Sequence, residues 1–190
     1  LIDNQTGAGT KNNLVQGNYI GTNAAGTAGI PNGVNGVEIA WGTVTNTIGG
    51  TASGARNLIS GNTYQGVGIY NPGTNGNIVQ GNHIGLNASG TGTLDTGATT
   101  NPDFVSDARA LENGLRGTAD GTGLASNGLS LANAVEAPSL SGHAVAGVRI
   151  ESGAQSNLIG GTAAGAGNVI SGSPNDGVLI TGTGTNGNRI

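Results

Sequence analysis

The chain has 190 residues, a net charge of −4 and a pI near 4.8, and Gly supplies 39 of its positions. Charged residues make up only 8% and Lys or Arg never run together, so a nucleic-acid partner has no electrostatic support. No apolar stretch has membrane-spanning length, the absence of Cys excludes disulfides and thiolate metal sites, and the apolar residues fall in short regular clusters that a disordered chain lacks.

Read in chain order, Leu1-Ile2 is the tail of a strand whose complete copies come later. Asn13-Leu14-Val15-Gln16-Gly17-Asn18 follows, then Tyr19-Ile20-Gly21 after a tight turn, then an arm over residues 20–27. Gly36-Val37-Glu38-Ile39 opens the next unit, and it recurs at Gly66, Gly147 and Gly177. The intervals from 36 to 66 and from 147 to 177 are both 30 residues. About ten residues after each Gly-Val strand comes an Asn-led strand, at Asn46, Asn77, Asn157 and Asn188. A third strand follows at Asn57, His83 and Asn168, and the arm of residues 20–27 has its counterpart at 84–91.

This period predicts an all-β fold, a right-handed parallel β-helix with three short strands per coil. Strands this short do not pair stably alone, so coils must stack and bury a narrow apolar core between them. Val37 and Ile39 alternate with Glu38, which places two side chains inside and one outside. Gly and Asn at the corners supply the left-handed backbone that tight bends need, and Asn at equivalent positions can stack into amide ladders. Coils without the arm, 36–65 and 147–176, alternate with coils that carry it.

Residues 95–140 break the period and divide the solenoid into 1–94 and 141–190. Within this insertion of roughly 45 residues, Asn101 can cap a helix with Pro102 at its first position. Phe104, Ala108, Leu111 and Leu115 keep helical spacing, which predicts a short helix at 102–113 ahead of a Gly/Ser-rich loop.

The outward positions of the Gly-Val strands carry the chemistry to weigh: Asp3, Glu38, Tyr70, Arg149 and Glu151. Asp3 and Glu38 fall on neighbouring coils, where the strand spacing of about 4.8 Å allows the separation a glycosidase uses. They are the catalytic candidates, against the plainer reading of charges that keep a wall solvated. Trp41 and Tyr70 are the ligand-binding candidates, as aromatic rings that stack on sugars. His83 and His143 have no acidic neighbours in sequence, so neither a metal nor another cofactor is expected.

The alternation of Asn-x-Ile-Gly-Gly-Thr-Ala-x-Gly-Ala-x-Asn-x-Ile-Ser-Gly-Asn with Asn-x-Val-Gln-Gly-Asn-x-Ile-Gly-Thr-Asn-Ala-Ala-Gly-Thr resembles the repeats of large bacterial right-handed parallel β-helix proteins. Segments 13–32, 46–62, 77–91 and 157–173 carry it. The resemblance implies a secreted or cell-surface multi-repeat protein and brings no catalytic motif. The expected function is a structural or adhesive extracellular module, a rod segment that continues into further repeats or stacks on itself. A cell-surface polysaccharide is a further partner to consider, and membrane insertion is not expected. A polysaccharide lyase or glycosidase on the same scaffold, and a glycan-binding module, are the alternatives.

Overall fold

The computed structural model describes residues 1–4, 9–94 and 146–190, and it carries three parallel sheets. The strands in chain order are β1 (Leu14–Val15), β2 (Tyr19–Ile20), β3 (Val37–Ile39), β4 (Thr47–Gly49), β5 (Leu58–Ile59) and β6 (Val67–Tyr70). They continue with β7 (Ile78–Gln80), β8 (His83–Ile84), β9 (Ala146–Glu151), β10 (Leu158–Ile159), β11 (Val169–Ile170) and β12 (Asp176–Ile180). The sheets run β3-β6-β9-β12, β1-β4-β7-β10 and β2-β5-β8-β11, so successive strands of the chain go to different sheets. That is a parallel β-helix with three strands per coil, as the period predicts. Strands are two to six residues long. The 95–140 insertion, with its expected helix at 102–113, lies outside the described residues.

Register locks the coils one above another. Val37 pairs with Val67, Val67 with Val148 and Val148 with Val178, while Ile39, Ile69, Ile150 and Ile180 form the next column. Ile2 bridges Ile39, so Leu1-Ile2 is the edge of this same sheet. The second sheet turns Val15, Ile48, Val79 and Ile159 inward, and the third turns in Ile20, Ile59, Ile84 and Ile170. β-Branched side chains stack well at these positions because each meets its own equivalent on the neighbouring coil.

Asparagines close two of the corners. The main-chain and side-chain N–H groups of Asn13 both donate to Oδ1 of Asn46 at 3.0 and 2.8 Å. Asn46 repeats the pattern on Asn77, Asn77 on Asn157, and Asn157 on Asn188. A second ladder runs Asn18, Asn57, Asn82, Asn168 by the same pairs of bonds. The interior amides of Asn57, Asn77, Asn82 and Asn157 also donate to a carbonyl of the coil behind, as Asn77 does to Thr43 and Asn82 to Ile48. The ladders therefore satisfy buried corner groups that the short strands leave unpaired. Gly49 shows how tight the bends are: its φ is +87°, and a Cβ there would run into the Gln80 carbonyl and the Asn82 amide.

The arms are one loop built twice. Thr22 pairs antiparallel with Gly29, and Leu86 with Thr93. Oδ1 of Asn23 accepts from the Thr27 amide at 2.9 Å, and Oδ1 of Asn87 from the Thr91 amide at 3.0 Å. The Ala88 amide donates to the Gly26 carbonyl at 2.9 Å, so the two arms meet across the armless coil between them.

Candidate functional site

The outward face of the β3-β6-β9-β12 sheet holds the charged residues that the sequence singles out. One outward column reads Glu38, Gly68, Arg149, Leu179, and the next places Tyr70 beside Glu151. Gly68 leaves a gap between Glu38 and Arg149, and the Tyr70 ring lies over it, where any Cβ at Gly68 would strike the ring. The ring thereby points its hydroxyl back toward the previous turn. That hydroxyl lies 3.4 Å from Nδ2 of Asn35 and 3.4 Å from Oε1 of Gln65.

Asn35 ties the cluster together. Its Nδ2 donates to the Glu38 carboxylate at 2.8 Å, and its Oδ1 accepts from the Gln65 amide at 3.1 Å. On the other side of Tyr70, Arg149 pairs with Glu151 at 2.6 Å, and the Arg149 side chain is almost fully buried. Burial pushes the Tyr70 hydroxyl above its ordinary value. Glu151 and Glu38 add to that push, while the Asn35 hydrogen bond and Arg149 oppose it. The wall is thus a chain of polar contacts linking Glu38, Asn35, Tyr70 and Gln65, beside an ion pair on the next coil.

Of the residues singled out as sites, Asp3 follows the Ile2–Ile39 bridge and falls beside Ala40 in register. Glu38 falls beside Leu1, so Asp3 and Glu38 lie diagonally on adjacent coils. Trp41 is 50% exposed at a turn, with φ +60°. The equivalent turn positions after β6 and β9 are Asn71 and Ser152, also left-handed. Tyr70 is half-buried within the wall, so it and Trp41 do not present one aromatic face. Sequence reasoning missed Asn35 and Gln65, whose roles depend on side chains meeting across a coil. The one available signal was Gly68, the only small residue in the outward column of Glu38 and Arg149.

Among the described residues no three His, Asp or Glu side chains group to hold a metal, and no helix is long and apolar enough to cross a membrane. The fold defines the class, a parallel β-helix solenoid. No family model, curated protein or solved structure matches the chain.

Proposed function

We propose that the chain is a structural or adhesive rod segment of a secreted or cell-surface bacterial repeat protein, built to take a further coil of its own kind at either end. The observation that carries this reading is the polarity of the Asn ladders. Every bond in them runs from the lower-numbered coil to the higher. Among the described residues Oδ1 of Asn13 and Asn18 accepts no hydrogen bond, and the main-chain N–H of Asn168 and Asn188 donates none. One end face therefore offers acceptors and the opposite face donors, in the spacing that another coil matches. The same faces expose Leu14 and Tyr19 at one end and Val169 and Ile190 at the other. Unpaired strand edges with apolar side chains favour more β structure of the same pattern, supplied by the same chain or by a second copy.

Light scattering over a concentration series tests the reading. The mass should grow by whole 18.3 kDa chains, and Leu14→Asp at one end or Ile180→Asp at the other should stop the growth. A chain that stays monomeric at every concentration overturns it.

Glycan binding is a second reading, favoured by Trp41. An exposed indole holds a left-handed backbone where one matching position uses Asn71, a residue type that tolerates it better. Trp41→Asn should then relieve the backbone and lower the glycan-array signal for neutral sugars.

A further inference from the structure

A groove of about 540 Å³ runs along the outside of the β2-β5-β8-β11 sheet, on a different face from the wall of Glu38 and Tyr70. Tyr19, Leu58 and His83 are consecutive members of one outward column, so they line the groove along the solenoid axis. Two coil steps of about 4.8 Å separate Tyr19 from His83, and the buried Leu58 forms an apolar floor between them. Arg56, on the loop that enters β5, forms one rim, and Ala88 of the second arm lines the groove as well.

The three titratable side chains in the groove are uncommitted. Among the described residues the Tyr19 hydroxyl, the Arg56 guanidinium and the His83 imidazole make no hydrogen bond or ion pair, and the only salt bridge joins Arg149 to Glu151. Such convergence of free polar groups over an apolar floor is how ligand sites fix orientation. Partial burial and the nearby Arg56 charge hold His83 below its ordinary value, so at neutral pH its imidazole is uncharged and both donates and accepts. The titratable and charged groups lining the groove are Tyr19, Arg56 and His83.

We infer that this groove binds an acidic sugar chain, with a ring on Tyr19 and its anionic substituent on Arg56. The half-exposed Tyr19 ring offers a flat apolar face, and a sugar ring stacks on it with its C–H side. The guanidinium fork matches a carboxylate or sulfate by paired hydrogen bonds. Neutral His83 then takes a hydroxyl of the next sugar unit, and the exposed peptide group at Gly54 offers a further contact along the groove. Tyr19 sits on the edge strand β2 while Arg56 and His83 lie further in, so binding measured on the Leu14→Asp protein, which keeps every residue of the groove, separates this inference from self-association.

The test is calorimetry on the full chain with a glucuronic acid oligosaccharide, its neutral glucose equivalent and its sulfated equivalent. At least one acidic probe should bind, about tenfold or more tighter than the neutral one. Which acidic probe binds separates carboxylate from sulfate recognition. Arg56→Gln should remove that preference, and Tyr19→Ala should weaken all binding. Lys11→Gln, a cation at another corner, should change nothing. Arg56 and Tyr19 are both exposed, so their variants should keep the wild-type circular dichroism spectrum. Equal binding of acidic and neutral probes, no binding of any, or binding untouched by Arg56→Gln and Tyr19→Ala overturns the inference. A second readout is the His83 imidazole by NMR: bound acidic probe should raise its pKa, and an unmoved titration in the presence of bound sugar also overturns it.

Discussion

Tyr70 owes its position to a missing atom. Gly68 makes room for the ring, and the ring carries the hydroxyl into a half-buried polar pocket between Asn35 and Gln65. The hydrogen bonds there are long, so their loss costs little, but ionising the phenol in that setting is unfavourable. A group with a raised folded-state pKa contributes stability that is complete below its unfolded value, near 10.0, and is lost as the pH climbs above it. Wild-type protein should therefore lose stability in urea melts as the pH climbs above about 10. Tyr70→Phe should lose about 1 kcal/mol or less at pH 7 and show a shallower alkaline decline. Identical alkaline slopes for the two proteins would contradict this account. The sequence marked Tyr70 as an outward aromatic suited to stacking on a sugar. It did not show that the ring folds back onto its own strand, because that follows from Gly68 and from Asn35 on the coil below.

At the scale of elements, the Asn ladders and the inward columns were legible from spacing alone. Asn46, Asn77, Asn157 and Asn188 stand ten or eleven residues behind the Gly that opens their Gly-Val strands, and the structure stacks them as one ladder. The stacking of the arms was not legible, since Gly26 and Ala88 meet by skipping a coil. The groove was not legible either, because Tyr19, Arg56 and His83 come from three coils and no local pattern joins them. The ladders make a quantitative prediction. Asn77→Ala would leave both N–H groups of Asn46 and the Thr43 carbonyl without their partner in a buried corner. Each stranded group costs about 1–3 kcal/mol, with partial relief from water and relaxation, so a total loss of about 3 kcal/mol is expected. Asn13 is exposed and only donates, so Asn13→Ala should cost about 1 kcal/mol. Chemical denaturation of the two variants measures the contrast, and equal losses would show that the ladder is not where the corner stability lies.

For the whole molecule, the telling fact is that the register passes through the break in the period undisturbed. Val67 pairs with Val148 and Ile69 with Ile150, although 81 residues separate each pair. The second ladder crosses the same gap from Asn82 to Asn168, and the first from Asn77 to Asn157. In a solenoid each coil is held by its nearest neighbours, so stability is a sum of local interfaces and not of distant ones. The contacts that seat β9 on β6 come from Val148 and Ile150 against their own columns, and β10 and β11 meet β7 and β8 in the same way. Residues 95–140 should therefore be dispensable for the stacking of these coils. The armless coil supplies the design: Ile59 to Val67 is bridged by the short Ser60–Gly66 turn, and Ile170 leads to Asp176 just as directly. A chain in which 95–140 is replaced by a Gly/Ser link of a few residues should keep its β circular dichroism and unfold in one cooperative transition. Two separate transitions, or loss of structure in the coils after the link, would show that the insertion holds the halves together.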